Sequence, residues 1–197
     1  QQHSSGQMCR KGYRGHTMHR TLSGLNVRLS DQLGKEDSNI EEKVPVSFTI
    51  GGQKVDAAVY VFKAKTSNGS KLDMSQYRGT EGVLLTQNGQ THGNYDKKFY
   101  NRSTVGLSYL SEYLLTVVDC TGIDEATREE LFMNSRDRTR SSSFANKLES
   151  DLEEFLKENE TLKQIQAKRR EEAISDKLDD EKPLEDVLSS VFKSSSV

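Results

Sequence analysis

The chain has 197 residues, enough for one domain with a helical extension, and carries 32% apolar residues and a net charge of -2. That apolar share is low for a compact domain, so part of the chain is expected to be a solvated arm, and the near-neutral charge excludes a global pull toward nucleic acid or membrane. No run of eighteen apolar residues occurs, so no membrane span is expected, and Cys9 and Cys120 lie outside any Cys/His cluster and read as two free thiols of a cytosolic protein.

In chain order, residues 1–11 read as a disordered or truncated lead-in. Thr17 to Leu29 reads as a short strand and then a helical turn around Gly24, with Leu22, Leu25 and Leu29 at helix-like spacing. Val44, Val46, Phe48 and Ile50 alternate with polar positions, Gly51-Gly52 follows, and Val55, Ala57, Val59 and Val61 alternate again. Two period-two runs joined by Gly-Gly predict a β-hairpin, because a type I′ turn needs positive φ at both central residues. Pro45 near its start places the first strand at a sheet edge or marks where it begins. Residues 66–80 read as a polar loop and Gly82–Gln87 as a short strand. Asn88-Gly89 ends that strand, and the following NGQTHGNYDKK reads as a second polar loop. Leu107–Glu112 is expected to be a short helix. Leu114–Val118 is the most apolar run and is expected to be a central strand buried on both faces, with Leu115 and Val117 toward a core.

Asp124 is positioned to cap a helix running to Phe132. A long amphipathic helix follows, with Phe144, Leu148, Leu152, Phe155 and Leu156 on one stripe and Leu162 and Ile165 continuing it. From Ala167 to Lys182 almost every residue is charged, so residues 167–197 are expected to be the least ordered part. Pro183 then opens a short helical pattern through Leu184, Val187, Leu188 and Val191. The organisation expected is an α+β domain over 12–140, with a mixed β-sheet and short helices, a long helical arm over 141–178 and a truncated helical tail over 179–197. The first residue, Gln1, and the closing Ser194–Val197 read as cuts in a longer protein.

Four groups of residues can carry chemistry. The Asn88–Gly93 segment is compact and polar, and His92 within it can position a ligand, with Asp96 a candidate partner. The simpler reading is an Asn-Gly turn with a surface histidine. Ser135-Arg136-Asp137-Arg138, followed by Arg140, lies between two helices, where guanidinium forks and a helix N-terminus suit phosphate. A solvated basic turn is the plainer alternative. Lys168-Arg169-Arg170 precedes Glu171-Glu172, a mixed charge block that reads first as a solvated face and second as a nucleic-acid contact. Asp119 and Cys120 read as a strand-end carboxylate beside a buried thiol. No catalytic triad order, phosphate-binding P-loop or zinc-protease motif is present, so the chain holds no complete active site.

The order of these motifs has a counterpart. The hairpin, Val83-Leu84-Leu85, the Asn-Gly-Gln-Thr-His-Gly segment, Leu114–Cys120, and Glu130–Arg138 together resemble the second domain of GHKL ATPases, the superfamily of gyrase B, the Hsp90 chaperones, the MutL mismatch-repair proteins and the MORC proteins. The resemblance is strongest to a bacterial Hsp90-like group with an NGQ-x-HG segment and an SRDR run, and spans residues 12–175. It implies a transducer domain with a ribosomal-protein-like βαβ fold, whose loop lysine reaches the γ-phosphate bound in a neighbouring ATPase domain. In gyrase B a phenylalanine precedes a Thr-Lys-Asp-Lys run. Here Phe132 precedes Ser135, Arg136, Asp137 and Arg138, so the resemblance gives Arg136 the sensing role with Ser135 and Arg138 beside it, and His92 and Lys97 as secondary candidates. The ATPase domain's own asparagine helix, adenine motif and glycine-rich lid are absent from this sequence. The resemblance therefore implies no cofactor in this chain, with ATP and Mg bound in the full-length protein, and an N-terminal ATPase domain in cis as partner. It allows a homodimer and DNA as further partners. A non-enzymatic module that docks protein or nucleic acid through the helical arm is the alternative, and a small hydrolase built on His92 and Asp96 is a third reading.

Overall fold

The structure is a computed structural model, and it describes Leu25, Leu29, residues 38–132 and residues 143–175. The chain divides into two compact units, Gln1–Ser38 and Asn39–Val197. In the first, Leu25 and Leu29 are helical and Leu29 is buried. The second contains a five-stranded mixed sheet and the helices that cover it.

Strands β1 (Ile40–Ile50) and β2 (Gln53–Phe62) form the predicted hairpin, with Gly51 and Gly52 at φ of 58° and 79°. Strands β3 (Glu81–Gln87) and β4 (Gln90–Asp96) form a second hairpin, and β5 (Leu114–Asp119) closes the sheet in the order β1-β2-β5-β3-β4. Strand β5 is central, as its apolar run predicts, antiparallel to β2 and parallel to β3. Strand β1 is an edge, as Pro45 predicts. The β3-to-β5 connection runs through β4, a 3-10 turn at Lys97–Asn101 and another at Ser111–Tyr113, with no α-helix between them. The helix expected over Leu107–Glu112 is reduced to that last turn.

The second hairpin corrects the sequence reading. NGQTHGNYDKK is not a loop: Asn88 (φ 50°) and Gly89 (φ 75°) form the same kind of turn as Gly51-Gly52, and the chain returns as β4. Strand β4 looks polar because it is the other edge of the sheet and pairs on one side only.

One face of the sheet presents Val44, Val46, Phe48 and Ile50 from β1, Val55, Ala57, Val59 and Val61 from β2, Leu114 and Val118 from β5, and Val83 and Leu85 from β3. Helices α1 (Glu125–Phe132), α2 (Ser143–Glu158) and α3 (residues 160–175) contribute to the same core. Helix α2 buries Phe144, Ala145, Leu148, Leu152 and Leu156 and sets Phe155 edge-on to Phe48, with ring centroids 6.2 Å apart. The predicted stripe is therefore spent on the sheet. Leu115 is buried and Val117 half-buried on the opposite face, so Val117 lies outside the main core. The helical run is interrupted at Asn159, whose side-chain oxygen accepts from the Leu162 amide at 3.1 Å and starts α3.

Over 167–175 most side chains are exposed, as expected of a solvated arm, and one residue is the exception. That stretch is helical, and Arg169 is only 9% exposed. Its Nη2 donates to Glu41 Oε2 at 2.5 Å and to the Phe62 carbonyl at 3.1 Å, and its guanidinium lies 5.6 Å from the Tyr113 ring centre. A charge block read from sequence as a solvated face thus contains a buried, paired arginine, because its partners lie 107 and 128 residues away. The domain boundaries at 178–179 and the helical pattern after Pro183 lie outside the described residues. No described helix is long and apolar enough to cross a membrane.

Candidate functional site

The strand directions give the sheet two unlike ends. At one end lie the Gly51-Gly52 and Asn88-Gly89 turns, the exit of β5 and helix α1. Asp119 leaves β5 and accepts hydrogen bonds from the Thr121 amide and hydroxyl. Cys120 follows, fully buried, its amide donating to the Thr86 carbonyl at 2.8 Å. Burial, reinforced by the Asp119 charge, pushes its thiol up to about 12, so it is a packed thiol and no nucleophile. Cys9 lies outside the described residues.

Asp124 caps α1 as expected: its carboxylate accepts from the Thr127 amide at 2.8 Å and the Thr127 hydroxyl at 3.1 Å. These bonds hold the carboxyl below its ordinary range, the Thr127 amide contributing most. Gln53, the first residue of β2, receives the Asp124 amide on its side-chain oxygen at 2.7 Å and donates to Thr127 Oγ1 at 2.9 Å. The first hairpin therefore fixes where α1 starts.

His92 reaches this end through a β-bulge. Leu85 pairs with Gly93 and Thr86 with Thr91, so His92 is the extra residue on β4. The half-buried imidazole packs against Phe132, ring centroids 5.4 Å apart and tilted by 47°. Phe132 is the last described residue of α1, three positions before Ser135 in sequence. Two segments forty residues apart in the chain, NGQTHG and the one leading into the SRDR run, thus meet in space. Ser135, Arg136, Asp137 and Arg138 themselves lie outside the described residues.

The structure separates the other candidates. Asp96 caps the Lys97–Asn101 turn by accepting from the Lys98 amide at 2.9 Å. It sits four residues along an extended strand from His92, about 13 Å away, so the two do not form an acid–base pair. Lys97 lies at the far end of β4 and pairs with Glu112 at 2.7 Å. His92 and Lys97 therefore do not share a site. Among the described residues, no group of three or more His, Cys, Asp and Glu converges in a metal-binding arrangement.

Sequence reasoning missed a second class of residue, the ones at the opposite end of the sheet. Gly82 is the extra residue of a bulge on β3, and a Cβ there would sit 2.7 Å from the Lys97 Cα and 2.9 Å from Tyr100. The Tyr100 hydroxyl uses that space, donating to the Gly82 carbonyl at 2.6 Å and sharing a 2.9 Å bond with Thr116. Glu41, the partner of Arg169, is likewise an extra residue between the Ile40 and Glu42 pairings of β1. A conformationally permissive Gly in a strand was the one available signal for the first of these, and none existed for the second. Comparison with protein-family models, with curated proteins and with solved structures finds no match to this chain.

Proposed function

We propose that this chain is the transducer of a GHKL-type, Hsp90-like ATPase, relaying nucleotide state from an ATPase module of the same polypeptide to downstream elements in the cytoplasm. The observation that supports the reading is the His92–Phe132 contact, which brings the NGQTHG segment to the start of the segment bearing Ser135, Arg136 and Arg138. Both motifs that carry the resemblance then serve one end of the sheet. Arg136 contacts the γ-phosphate in this reading, stabilising its charge through a charge-assisted hydrogen bond, while Ser135 and Arg138 assist. ATP and Mg are held by the ATPase module. Helices α2 and α3 bury their apolar stripe on the sheet, so a motion of α1 or of the segment after it is passed to packed helices.

The test is steady-state ATPase of a polypeptide that joins the ATPase module to this chain. Arg136→Ala should lower kcat by about 10²–10³-fold, the usual loss for one charge-stabilising donor. ADP affinity and the melting temperature should hold, Arg138→Ala should do less, and Asp137→Ala least. The chain alone should show no ATP binding by calorimetry. Unchanged turnover in Arg136→Ala removes that residue from the mechanism, and micromolar ATP binding to the chain alone removes the transducer reading.

A further inference from the structure

The end of the sheet opposite His92 carries three adjoining cavities. The largest, about 860 Å³, is walled by Lys63, Lys65 and Lys71, by Tyr109 and Tyr113, and by the last turns of α3. A second, of about 440 Å³, shares Lys71 and Tyr113 with it and extends to Arg78, with Asp73 and Glu112 also in its wall. A third, of about 750 Å³, shares Tyr109 and runs along Lys157, Lys163, Arg170 and Glu171, with Lys163 paired to Glu160 at 2.8 Å. Shared walls make these one track, longer than a single small ligand needs.

The track concentrates positive charge on a chain whose net charge is -2. The largest cavity holds Lys63, Lys65, Lys71, Lys168 and Arg169 against Glu41 and Glu172. Arg169 and Glu41 neutralise each other, which leaves four lysines facing one carboxylate. None of the four forms an ion pair with a described residue. The local backbone explains their grouping. Residues 64–72 form a small ribbon, with the Leu72 amide donating to the Ala64 carbonyl at 2.9 Å and the Thr66 amide to the Ser70 carbonyl at 2.7 Å. Lys65 and Lys71 are antiparallel bridge partners, so they share a face, and Lys63 is two residues from Lys65. Like charges directly opposite each other destabilise a pair of strands, and nothing in the packing of this ribbon calls for two lysines. A ligand with regularly spaced negative charge relieves that repulsion.

Two further features point to the ligand's chemistry. Tyr109 is 43% exposed and stands where the largest cavity meets the third, a flat ring open to stacking. Arg78 is 6% exposed and lines the second cavity. Its terminal nitrogens donate to the Glu81, Ser111 and Glu112 carbonyls at 2.7–2.8 Å, while its Nε has no partner. We propose that this track binds single-stranded nucleic acid, with Lys63, Lys65, Lys71 and Lys168 on successive phosphates and a base stacked on Tyr109. Cationic grooves interleaved with aromatic platforms suit unpaired strands, whose bases can splay into recesses that exclude a duplex. An acidic peptide has no use for the ring. This inference does not rest on the transducer reading, and no residue of the His92 end takes part in it.

The test is fluorescence anisotropy of a labelled oligodeoxythymidine of about 15 nucleotides against the full chain at low salt. Binding is expected, weakening with salt at a log–log slope of about 0.7 per neutralised phosphate. Lys65→Ala/Lys71→Ala should lower affinity about tenfold or more and flatten that slope by about 1.4. Tyr109→Ala should weaken binding at least about fivefold, and Tyr109→Phe should restore it. Lys147→Ala, on α2 and paired with Asp151 away from the track, should leave affinity unchanged and controls for net charge. Unchanged binding by the double lysine variant, with a normal melting curve, overturns the proposal. So does equal affinity for a duplex of the same length. Displacement by poly-glutamate at matched charge would mark an acidic-peptide site instead. A mononucleotide binding as tightly as the oligonucleotide would reduce the track to a site for one phosphate-bearing ligand.

Discussion

The two ends of the sheet are built from different chemistry. At the His92 end, two glycine-containing turns and an aspartate capping its own helix are local, and the ties between distant segments, Gln53 to Asp124 and His92 to Phe132, are exposed or half-buried. At the Arg169 end, the ties are charged or buried polar and link distant parts of the chain: Arg169 to Glu41, Arg78 to Ser111 and Glu112, and Tyr100 to Gly82 and Thr116. At the first end most polar ties are exposed, so water replaces a lost partner at little cost. The second is assembled only when the whole fold is in place, and each missing partner strands a buried polar group.

Substitutions can break or sharpen that contrast. The largest effect is expected for Arg169→Ala, which leaves the Phe62 carbonyl and the partly buried Glu41 carboxylate without their donor. A loss of about 3 kcal/mol in a urea titration is expected, together with faster amide exchange across residues 160–175. Arg169→Met should recover part of it by filling the site, and full stability in Arg169→Ala would mean the pair is incidental. Gly82→Ala comes next, at about 2 kcal/mol, because its Cβ meets the Lys97 backbone and the buried Tyr100 ring, neither of which can swing away. A melting curve matching the parent would show that the bulge relaxes freely. At the other end, Gly89→Ala should cost about 1 kcal/mol, the penalty for a Cβ at φ 75°, with the β3–β4 register intact by NMR.

The smallest effect concerns pH. The Asp124 carboxyl titrates below its ordinary range in the fold, so its stabilising contribution is complete above about pH 4 and is lost as pH falls through the lower folded value. Asp124→Asn keeps a capping oxygen that does not titrate. The gap between parent and variant in urea midpoint should therefore shrink between pH 6 and pH 3. A constant gap would remove the cap from the acid sensitivity of the fold.

The same contrast explains what the sequence reveals. The β1–β2 hairpin, central β5, the Asp124 cap and the α2 stripe are all written in spacing and local residue chemistry, and they are where the sequence places them. Strand β4 was hidden because an edge strand with one paired side needs few apolar residues. Arg169 was hidden because a buried charge and a solvated one look the same until the partner, here Glu41, is known. Of the candidate site, the meeting of NGQTHG with Phe132 depends on a one-residue bulge at His92, which shifts register without any compositional mark. Lys71 joins Lys63 and Lys65 on one face only because the 64–72 ribbon makes Lys65 and Lys71 bridge partners.

Among the described residues, β1 and β4 are the two edges of an open sheet, the places where another strand can dock. Strand β1 meets this with Pro45, which lacks an N–H, with exposed Glu42 and Lys43, and with the irregularity at Glu41. Strand β4 is seven residues long and is broken in register at His92. Neither edge is a long, flat template, so copies of this chain are discouraged from stacking edge to edge into fibrils. The two interrupted edges thus steer self-association of this unit away from strand addition.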